Sequence, residues 1–248
     1  MECFHSGNDC VSNTFFNSDP RHYNLTEDFI FVDHPWGPIF YKYVGQMEKS
    51  VAKQHCSQYG EFVHLPIPRF ADENEFYRDH FGTEAIWLDM TNDINALKSS
   101  SGHSYINYIH TASGVVEISK YKWINASFDY NTVSNDISLT KSGFWTSKNE
   151  SEMIDSVCVY NIIPDNNCSM CFDNAFCRYI DKEKKKSQCI CPEDRRGEYC
   201  EHKLCEHCQN GGYCLLNKYK NATTCICPHP FEGETCEICE KFYLMSPK

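Results

Sequence analysis

The first periodic stretch of apolar residues predicts a helix over residues 47–59. Ala52, Cys56 and Tyr59 stand at positions i, i+4 and i+7, which share one face of a helix. Gly60 follows and supplies the stop.

A second helix is predicted directly afterwards. Residues 72–75 read Asp-Glu-Asn-Glu, a capping-box-like start. Phe76, Tyr77 and His80 then point inward or close to it, and Gly82 ends the pattern.

Short apolar runs before and after these helices predict strands. They cover residues 39–44, 85–89, 121–125, 143–146 and 156–161. Strands on both sides of two helices predict a mixed α+β domain over residues 37–163.

The cysteines divide the chain. Four of the 17 precede residue 168, and thirteen lie in residues 168–239. A region with few cysteines can bury its own core, whereas small modules dense in cysteine need covalent cross-links. The density step therefore predicts a domain boundary and an oxidising compartment.

The dense region is an internal repeat of two six-cysteine units offset by 37 residues. The units read Cys168-x2-Cys171-x5-Cys177-x11-Cys189-x-Cys191-x8-Cys200 and Cys205-x2-Cys208-x5-Cys214-x10-Cys225-x-Cys227-x8-Cys236. Spacing alone leaves the pairing open, since six cysteines allow about 15 arrangements. The alternative is zinc, because each unit begins with a ligand-like Cys-x2-Cys. A zinc knuckle, however, leaves the Cys-x-Cys pairs and the repeated final loops unexplained.

Both units resemble EGF-like modules. The second carries Gln209-Asn-Gly-Gly-Tyr between cysteines and Phe231-Glu-Gly-Glu-Thr before its last one, and the first carries Arg196-Gly-Glu-Tyr. The resemblance implies pairing of first with third, second with fourth and fifth with sixth cysteine. The implied bridges are Cys168–Cys177, Cys171–Cys189, Cys191–Cys200, Cys205–Cys214, Cys208–Cys225 and Cys227–Cys236.

Calcium binding by these modules is not expected from the resemblance. Calcium-binding members carry an acidic cluster before the first cysteine. Asp165-Asn-Asn matches it only in part, and His202-Lys-Leu does not match.

The region before the repeat resembles the C-type lectin-like fold. The similarity rests on Phe40-Tyr-Lys-Tyr43, Cys56, residues 73–81, Trp87-Leu-Asp-Met90, Tyr121-Lys-Trp123-Ile-Asn125 and Ser156-Val-Cys158-Val-Tyr160. It implies a Cys56–Cys158 bridge from helix to late strand and a local Cys3–Cys10 loop. Cys239 is then left over; it would open a truncated third module or pair with another chain.

The family's calcium-dependent sugar site is not reproduced. It needs a Glu-Pro-Asn or Gln-Pro-Asp loop and a Trp-Asn-Asp strand, whereas Trp145 is followed by Thr-Ser-Lys-Asn-Glu. Calcium wants six to eight oxygen ligands, so we expect no metal and no cofactor. Candidate ligand-binding residues are Trp123, Asn125, Trp145, Asn149 and Glu150, although large aromatics more often pack in a core. Residues 98–119 would form the family's long variable loop.

Charge and glycosylation signals bear on location and partners. The formal net charge is −11, which argues against nucleic acid and anionic membranes as partners. Sequons at Asn24, Asn125, Asn149 and Asn221 fit a glycoprotein. No apolar run is long enough for a membrane span, and the first residues do not form a signal peptide. We therefore expect a mature or excised part of a longer protein.

No catalytic motif or plausibly activated thiolate stands out, so an enzyme is not expected. The predicted organisation is an N-terminal extension (1–36), a C-type lectin-like domain (37–163) and EGF-like modules at 168–201 and 205–237, in an order that resembles the selectins and thrombomodulin. The predicted function is extracellular recognition or adhesion, with a head that binds a protein or glycan without calcium and an EGF-like pair as spacer. The alternatives are a calcium-dependent sugar-binding lectin and a purely structural ectodomain segment.

Overall fold

The computed structural model describes residues 16–81, 84–126, 136–162, 168–172, 175–181, 184, 186–217 and 222–239. We call the part before Cys168 the head. Within the described residues it contains a 3-10 turn (Pro20–Tyr23), two α-helices and nine strands. The helices are α1 (Lys49–Ser57) and α2 (Ala71–Phe81). The strands are β1 (Ile30–His34), β2 (Gly37–Met47), β3 (Ala85–Asn92), β4 (Ala96–Ser99), β5 (Ser104–Thr111), β6 (Gly114–Ser119), β7 (Asp136–Thr140), β8 (Trp145–Lys148) and β9 (Ile154–Asn161).

The nine strands form one sheet in the order β1-β2-β9-β3-β4-β5-β6, with β7 joining β3 to β8. β2 lies antiparallel to β9, so the early and late parts of the head close on each other. β1 begins at Ile30, seven residues before the predicted domain start at residue 37. The predicted boundaries themselves stay a prediction.

The central strands are apolar on both faces because each face is covered. In β2, Ile39 and Tyr41 belong to one core cluster, and Phe40 between them belongs to a second. Tyr77 of α2 is in the first cluster, and Ala52 of α1 is in the second. Successive strand side chains point to opposite faces, so the two helices pack on opposite sides of the sheet. This explains the unbroken apolar runs in the sequence.

A disulfide joins Cys56 of α1 to Cys158 of β9, 102 residues apart. Both side chains are fully buried in the second cluster. The expected Cys3–Cys10 loop lies outside the described residues.

Two sequence predictions about the head were wrong. Residues 121–125 form a turn, not a strand: the Ile124 amide donates to the Tyr121 carbonyl at 3.3 Å. Tyr121 and Trp123 alternate as in a strand, but packing in the core satisfies that pattern without strand pairing. Residues 98–119, predicted as a long loop, contain β5 and β6. Their β-branched and aromatic residues suit a pleated surface.

The C-terminal region consists of two small disulfide modules. Among the described residues, each has two two-stranded sheets. The first contains β10 (Phe176–Asp181) with β11 (Lys186–Ile190) and β12 (Arg195–Arg196) with β13 (His202–Lys203). The second contains β14 (Tyr213–Asn217) with β15 (Ala222–Ile226) and β16 (Phe231–Glu232) with β17 (Ile238–Cys239).

The bridges of the modules follow the order that the EGF-like resemblance implies. They are Cys171–Cys189, Cys191–Cys200, Cys205–Cys214, Cys208–Cys225 and Cys227–Cys236. Cys177 is also disulfide-bonded. The side chain of its expected partner, Cys168, lies outside the described part of the chain.

The first module packs against the head. The Phe176 ring lies 3.9 Å from His103 and about 5.5 Å from Tyr105, between ring centroids. The Tyr179 amide donates to the Trp36 carbonyl at 3.0 Å, and the Glu193 amide donates to the Lys120 carbonyl at 2.9 Å. The aromatic cluster of the head is therefore completed by a residue of the module.

The predicted α+β class of the head is confirmed, and small disulfide-rich β modules follow it. Among the residues that the structure describes, no helix has the length and hydropathy needed to cross a bilayer.

Candidate functional site

The predicted aromatic site does not form, because its tryptophans belong to the core. Trp145 is 0% exposed, and its indole nitrogen donates to Asn74 Oδ1 at 2.8 Å. Trp123 is half-buried with its ring 5.6 Å from that of Trp145. Trp145 has no free face on which a sugar could stack, which corrects its assignment as a ligand-binding candidate.

The three polar candidates stay exposed but do not converge. Asn125 meets Trp145 only through the backbone, where its carbonyl accepts from the Trp145 amide at 2.9 Å. Asn149 Oδ1 turns back to accept from the Ser151 amide at 3.1 Å. The Glu150 carbonyl accepts from the Lys49 amide, and its side chain is exposed.

The carboxylate next to these residues has a partner already. Glu152 Oε2 lies 3.1 Å from Lys148 Nζ, and its Oε1 accepts from the Asn149 amide at 3.0 Å. Those two interactions lower the pKa of Glu152, the backbone bond contributing most. Glu152 is thus already paired with a lysine of the same chain.

Among the described residues of the head, Glu73 of α2 is the most deeply buried carboxylate. Its two oxygens accept from Arg69 Nε and Nη2, each at 2.9 Å, and Oε1 also accepts from the Tyr77 hydroxyl at 3.0 Å. Burial and the neighbouring Glu73 charge hold the pKa of Tyr77 well above its ordinary value, so this hydroxyl stays a donor.

Two further carboxylates are neutralised by lysines of α1. Asp89 lies 2.8 Å from Lys53 Nζ and accepts from the Ser100 hydroxyl at 2.6 Å. Asp136 lies 2.7 Å from Lys49 Nζ, which also donates to the Met90 carbonyl. Burial lowers the pKa of Lys49, while the hydrogen bond and charge of Asp136 oppose that shift.

A cleft of about 500 Å³ opens beside α1, where the head meets the first module. This size suits a small ligand or one residue of a larger one. We call it the α1 cleft. It is lined by Lys53, Ser57, Glu61, Val63, His64, Leu65, Ile67, Arg69, Asp89, Ser100, Ser101, Asn161 and Phe176.

His64 presents an acceptor to the α1 cleft. Its Nδ1 lies 2.7 Å from the Leu65 carbonyl, which can only accept, so Nδ1 carries the proton. Burial lowers the pKa of His64, although the bond to Leu65 opposes the shift, and the ring is therefore neutral at physiological pH. Its Nε2 keeps a lone pair for a ligand.

Arg69 and Asn161 present donors to the same cleft. Arg69 Nη2 lies 3.3 Å from Asn161 Oδ1, which fixes the amide orientation. Among the described residues, neither Arg69 Nη1 nor Asn161 Nδ2 has a hydrogen-bond partner. Both groups can therefore donate to a ligand oxygen.

The formal charges of the cleft are mostly paired inside the protein. Glu73 neutralises Arg69, and Asp89 neutralises Lys53. What remains is a neutral acceptor, several donors, the exposed Glu61 and an apolar floor that includes Leu65 and Phe176. Such a surface can recognise a neutral polar group by direct hydrogen bonds.

Sequence reasoning did not find the α1 cleft. Its wall residues come from α1, the 61–69 segment, β3, the 100–101 turn, β9 and the first module, and no local motif joins them. The spacing of Arg69 and Glu73 at i, i+4 is the one local signal it offered.

The predicted glycosylation sites lie on the surface where the structure describes them. The sequon residues Asn24, Asn125 and Asn149 are exposed, and Asn221 lies outside the described residues.

One group in the described chain has metal-like spacing: Cys205, His207 and Cys208. Both cysteines are in disulfides, so neither offers the thiolate that zinc binds.

Comparisons with known proteins give fold likenesses only. No protein-family model and no curated protein matches the sequence. The carbohydrate-recognition domain of the mouse scavenger receptor C-type lectin is similar in structure at 15% identity and a TM-score of 0.39, over 54% of this chain and 94% of its own. The cow CD23 C-type carbohydrate-recognition domain gives 14% and 0.40, over 55% of this chain and 95% of its own.

A third similar structure is a calcium-independent type II antifreeze protein, at 13% identity and a TM-score of 0.39, over 53% of this chain and 92% of its own. TM-scores of this size carry no argument about function. The site must therefore be interpreted from its own residues.

Proposed function

We propose that this chain is an extracellular recognition protein whose lectin-like head binds a protein or glycan ligand directly, without calcium, and that it has no catalytic role. The observation that carries the proposal is the α1 cleft, where arginine and lysine side chains already occupy the carboxylates. A cation would have to displace them, and a ligand can instead use the exposed donors and acceptors.

The extracellular assignment rests on covalent structure. Disulfides in tandem persist only in an oxidising compartment. The structure holds one bridge in the head and five fully described ones in the modules. We take the modules to be EGF-like, in agreement with their spacing and pairing order.

The first module extends the head rather than spacing it. Phe176 both completes the aromatic cluster and lines the α1 cleft. The second module meets the head through a hydrogen bond in which the His229 amide donates to the His110 carbonyl at 2.7 Å. We therefore assign the spacer role to the second module.

Binding to arrays of glycans and of extracellular protein domains tests the proposal. The full chain should bind at least one class of ligand equally well in millimolar calcium and in chelator. Binding that disappears with chelator would overturn it, as would no binding to either array.

Two matched variants locate the site. Ser57→Trp places a large ring at the rim of the α1 cleft, and Met153→Trp places the same ring in the 149–153 turn without removing the Asn149 sequon. Both side chains are exposed, so both variants should fold. We expect Ser57→Trp to abolish binding and Met153→Trp to leave it unchanged; the reverse would move the site to the 149–153 turn.

A further inference from the structure

A second concave surface lies wholly within the first module. A groove of about 550 Å³ is lined along one side by six consecutive residues, 186–191, and along the other by Gly197, Glu198 and Tyr199. We call it the β11 groove. Arg178 and Ile180 of β10 also line it, and among the described residues none of the head or of the second module does.

The floor of this groove is the edge of a sheet. Among the described residues β11 pairs with β10 alone. In an antiparallel pair, alternate residues of each strand direct their N–H and C=O groups away from the partner strand. An edge strand therefore presents a row of main-chain donors and acceptors, and here the row faces an open groove.

An extended peptide is the ligand that matches such a row. Peptides that add a strand to a sheet edge use main-chain hydrogen bonds for affinity and alternate side chains for specificity. The five residues of β11 span about 17 Å at the usual rise per residue, which is the length of about five peptide residues.

The charges beside the groove select the side chains of that peptide. The strand register sets Arg178 opposite Gln188, and Lys186 lies two residues along on the same side of β11. Arg178 Nη1 forms an ion pair with Asp72 Oδ2 at 3.8 Å, beyond hydrogen-bond reach, and its Nε has no hydrogen-bond partner among the described residues. Lys186 is exposed and has no carboxylate within ion-pair distance in the same part of the chain. Lys186 is thus available to a peptide carboxylate, and Arg178 can share its charge between that carboxylate and Asp72.

A hydroxyl beside the same cations is also unused. Ser187 Oγ is buried and has no hydrogen-bond partner in the described part of the protein. Glu198, on the opposite wall, lines the groove as its acidic member. The β11 side of the groove is therefore basic. Its cations, Arg178 and Lys186, set the position at which an acidic peptide residue would bind.

We propose that the first module binds an extended, acidic peptide segment of another protein as a third strand on β11, with a peptide carboxylate on Arg178 and Lys186. This site is separate from the α1 cleft. It gives the protein a protein-docking surface in addition to its recognition head.

Panning a library of random ten-residue peptides against the full chain tests this proposal. We expect enriched sequences with Asp or Glu at alternate positions. Hydrogen exchange should show slower amide exchange within residues 186–190 when an enriched peptide is bound. Charge-assisted hydrogen bonds of this kind make a loss of about tenfold or more in affinity the expectation for Arg178→Gln with Lys186→Gln.

The matched control is Arg196→Gln with Lys203→Gln, which removes the same charge from exposed positions of β12 and β13. It should leave peptide affinity unchanged, and both double variants should keep the melting temperature of the parent chain. Enrichment of basic or neutral peptides, no enrichment, or unchanged exchange at 186–190 would overturn the proposal. So would a chain dimer in sedimentation that protects the same amides, since the occupant would then be a second copy.

Discussion

Lys49 is a buried cation whose partner is partly in water. Its side chain is 2% exposed, against 18% for Asp136. When one member of such a pair is removed, the other keeps its charge without a partner. The free energy of unfolding then falls more, the more deeply that remaining charge is buried. The two substitutions should therefore be unequal.

We predict that Asp136→Asn destabilises the chain by about 3–5 kcal/mol, because it leaves a buried ammonium without its countercharge. Lys49→Met should cost less, since Asp136 can be hydrated and the methionine fills the space. Denaturant unfolding of the three proteins measures both. Equal losses, or a larger loss for Lys49→Met, would contradict this account of the pair.

His64 makes the head sensitive to mild acid. Burial lowers its pKa in the folded state, whereas the unfolded state keeps a value of about 6.5. As the pH falls below about 6.5, the unfolded chain takes up this proton first, so stability falls until the folded pKa is passed. Above about pH 6.5 both states are neutral and the contribution is constant.

We predict that the melting temperature decreases less with acid in His64→Asn than in the parent chain. The asparagine amide can still donate to Leu65, so the fold should be kept. Paired melting curves from neutral to mildly acidic pH give the comparison. Parallel pH dependence in the two proteins would show that His64 does not titrate as described.

At the scale of elements, β10 holds the first module to the head. Phe176 inserts among His103, Tyr105 and Tyr121, while Ile180 on the same strand is 47% exposed. One strand thus offers both a half-buried anchor and an exposed control.

We predict that Phe176→Ala costs about 3 kcal/mol, at the low end for a buried phenylalanine because the ring is only half-buried. It should also speed proteolysis between head and module, since the contact is lost. Ile180→Ala should change neither stability nor cleavage. Equal behaviour of the two variants would mean that the module is not anchored through this ring.

The Cys56–Cys158 bridge links α1 to β9. It closes a loop of 102 residues, for which the chain-entropy model gives about 4.7 kcal/mol. We predict that Cys56→Ala with Cys158→Ala lowers the melting temperature of the head while the module disulfides stay intact in a non-reducing peptide map. An unchanged head transition would count against the bridge.

The local patterns of the sequence were sufficient for the elements that depend on neighbours in the chain. The face formed by Ala52 and Cys56 predicted α1, and the capping-box-like start predicted α2, because helix signals repeat within a few residues. β4, β5 and β6 were missed although they pair with their neighbours in the chain, because the family resemblance assigned this segment to a variable loop. β1 and β7 were missed as well.

The residues of the candidate site were predicted less well than the helices. The sequence singled out Trp145, but burial is a property of the folded environment, and an aromatic suits a core as well as a ligand. His64 and Asn161 were overlooked, because 97 positions separate them in the chain and only the bridge of His64 to Val159 brings them to one cleft.

On the scale of the whole molecule, the chain is acidic, with a net charge of −11, yet three carboxylates of the head are paired with its own cations. Glu73, Asp89 and Asp136 are each met by an arginine or a lysine. A calcium site needs several oxygens free to converge. The proposed recognition without calcium follows from this arrangement.

Calorimetric titration of the full chain with millimolar calcium, followed by thermal melting, tests that claim most directly. Any ligand that binds only the folded state raises its melting temperature. We predict no saturable heat and no shift of the head transition. Saturable binding with a raised head transition, lost in Glu150→Gln, would contradict the account.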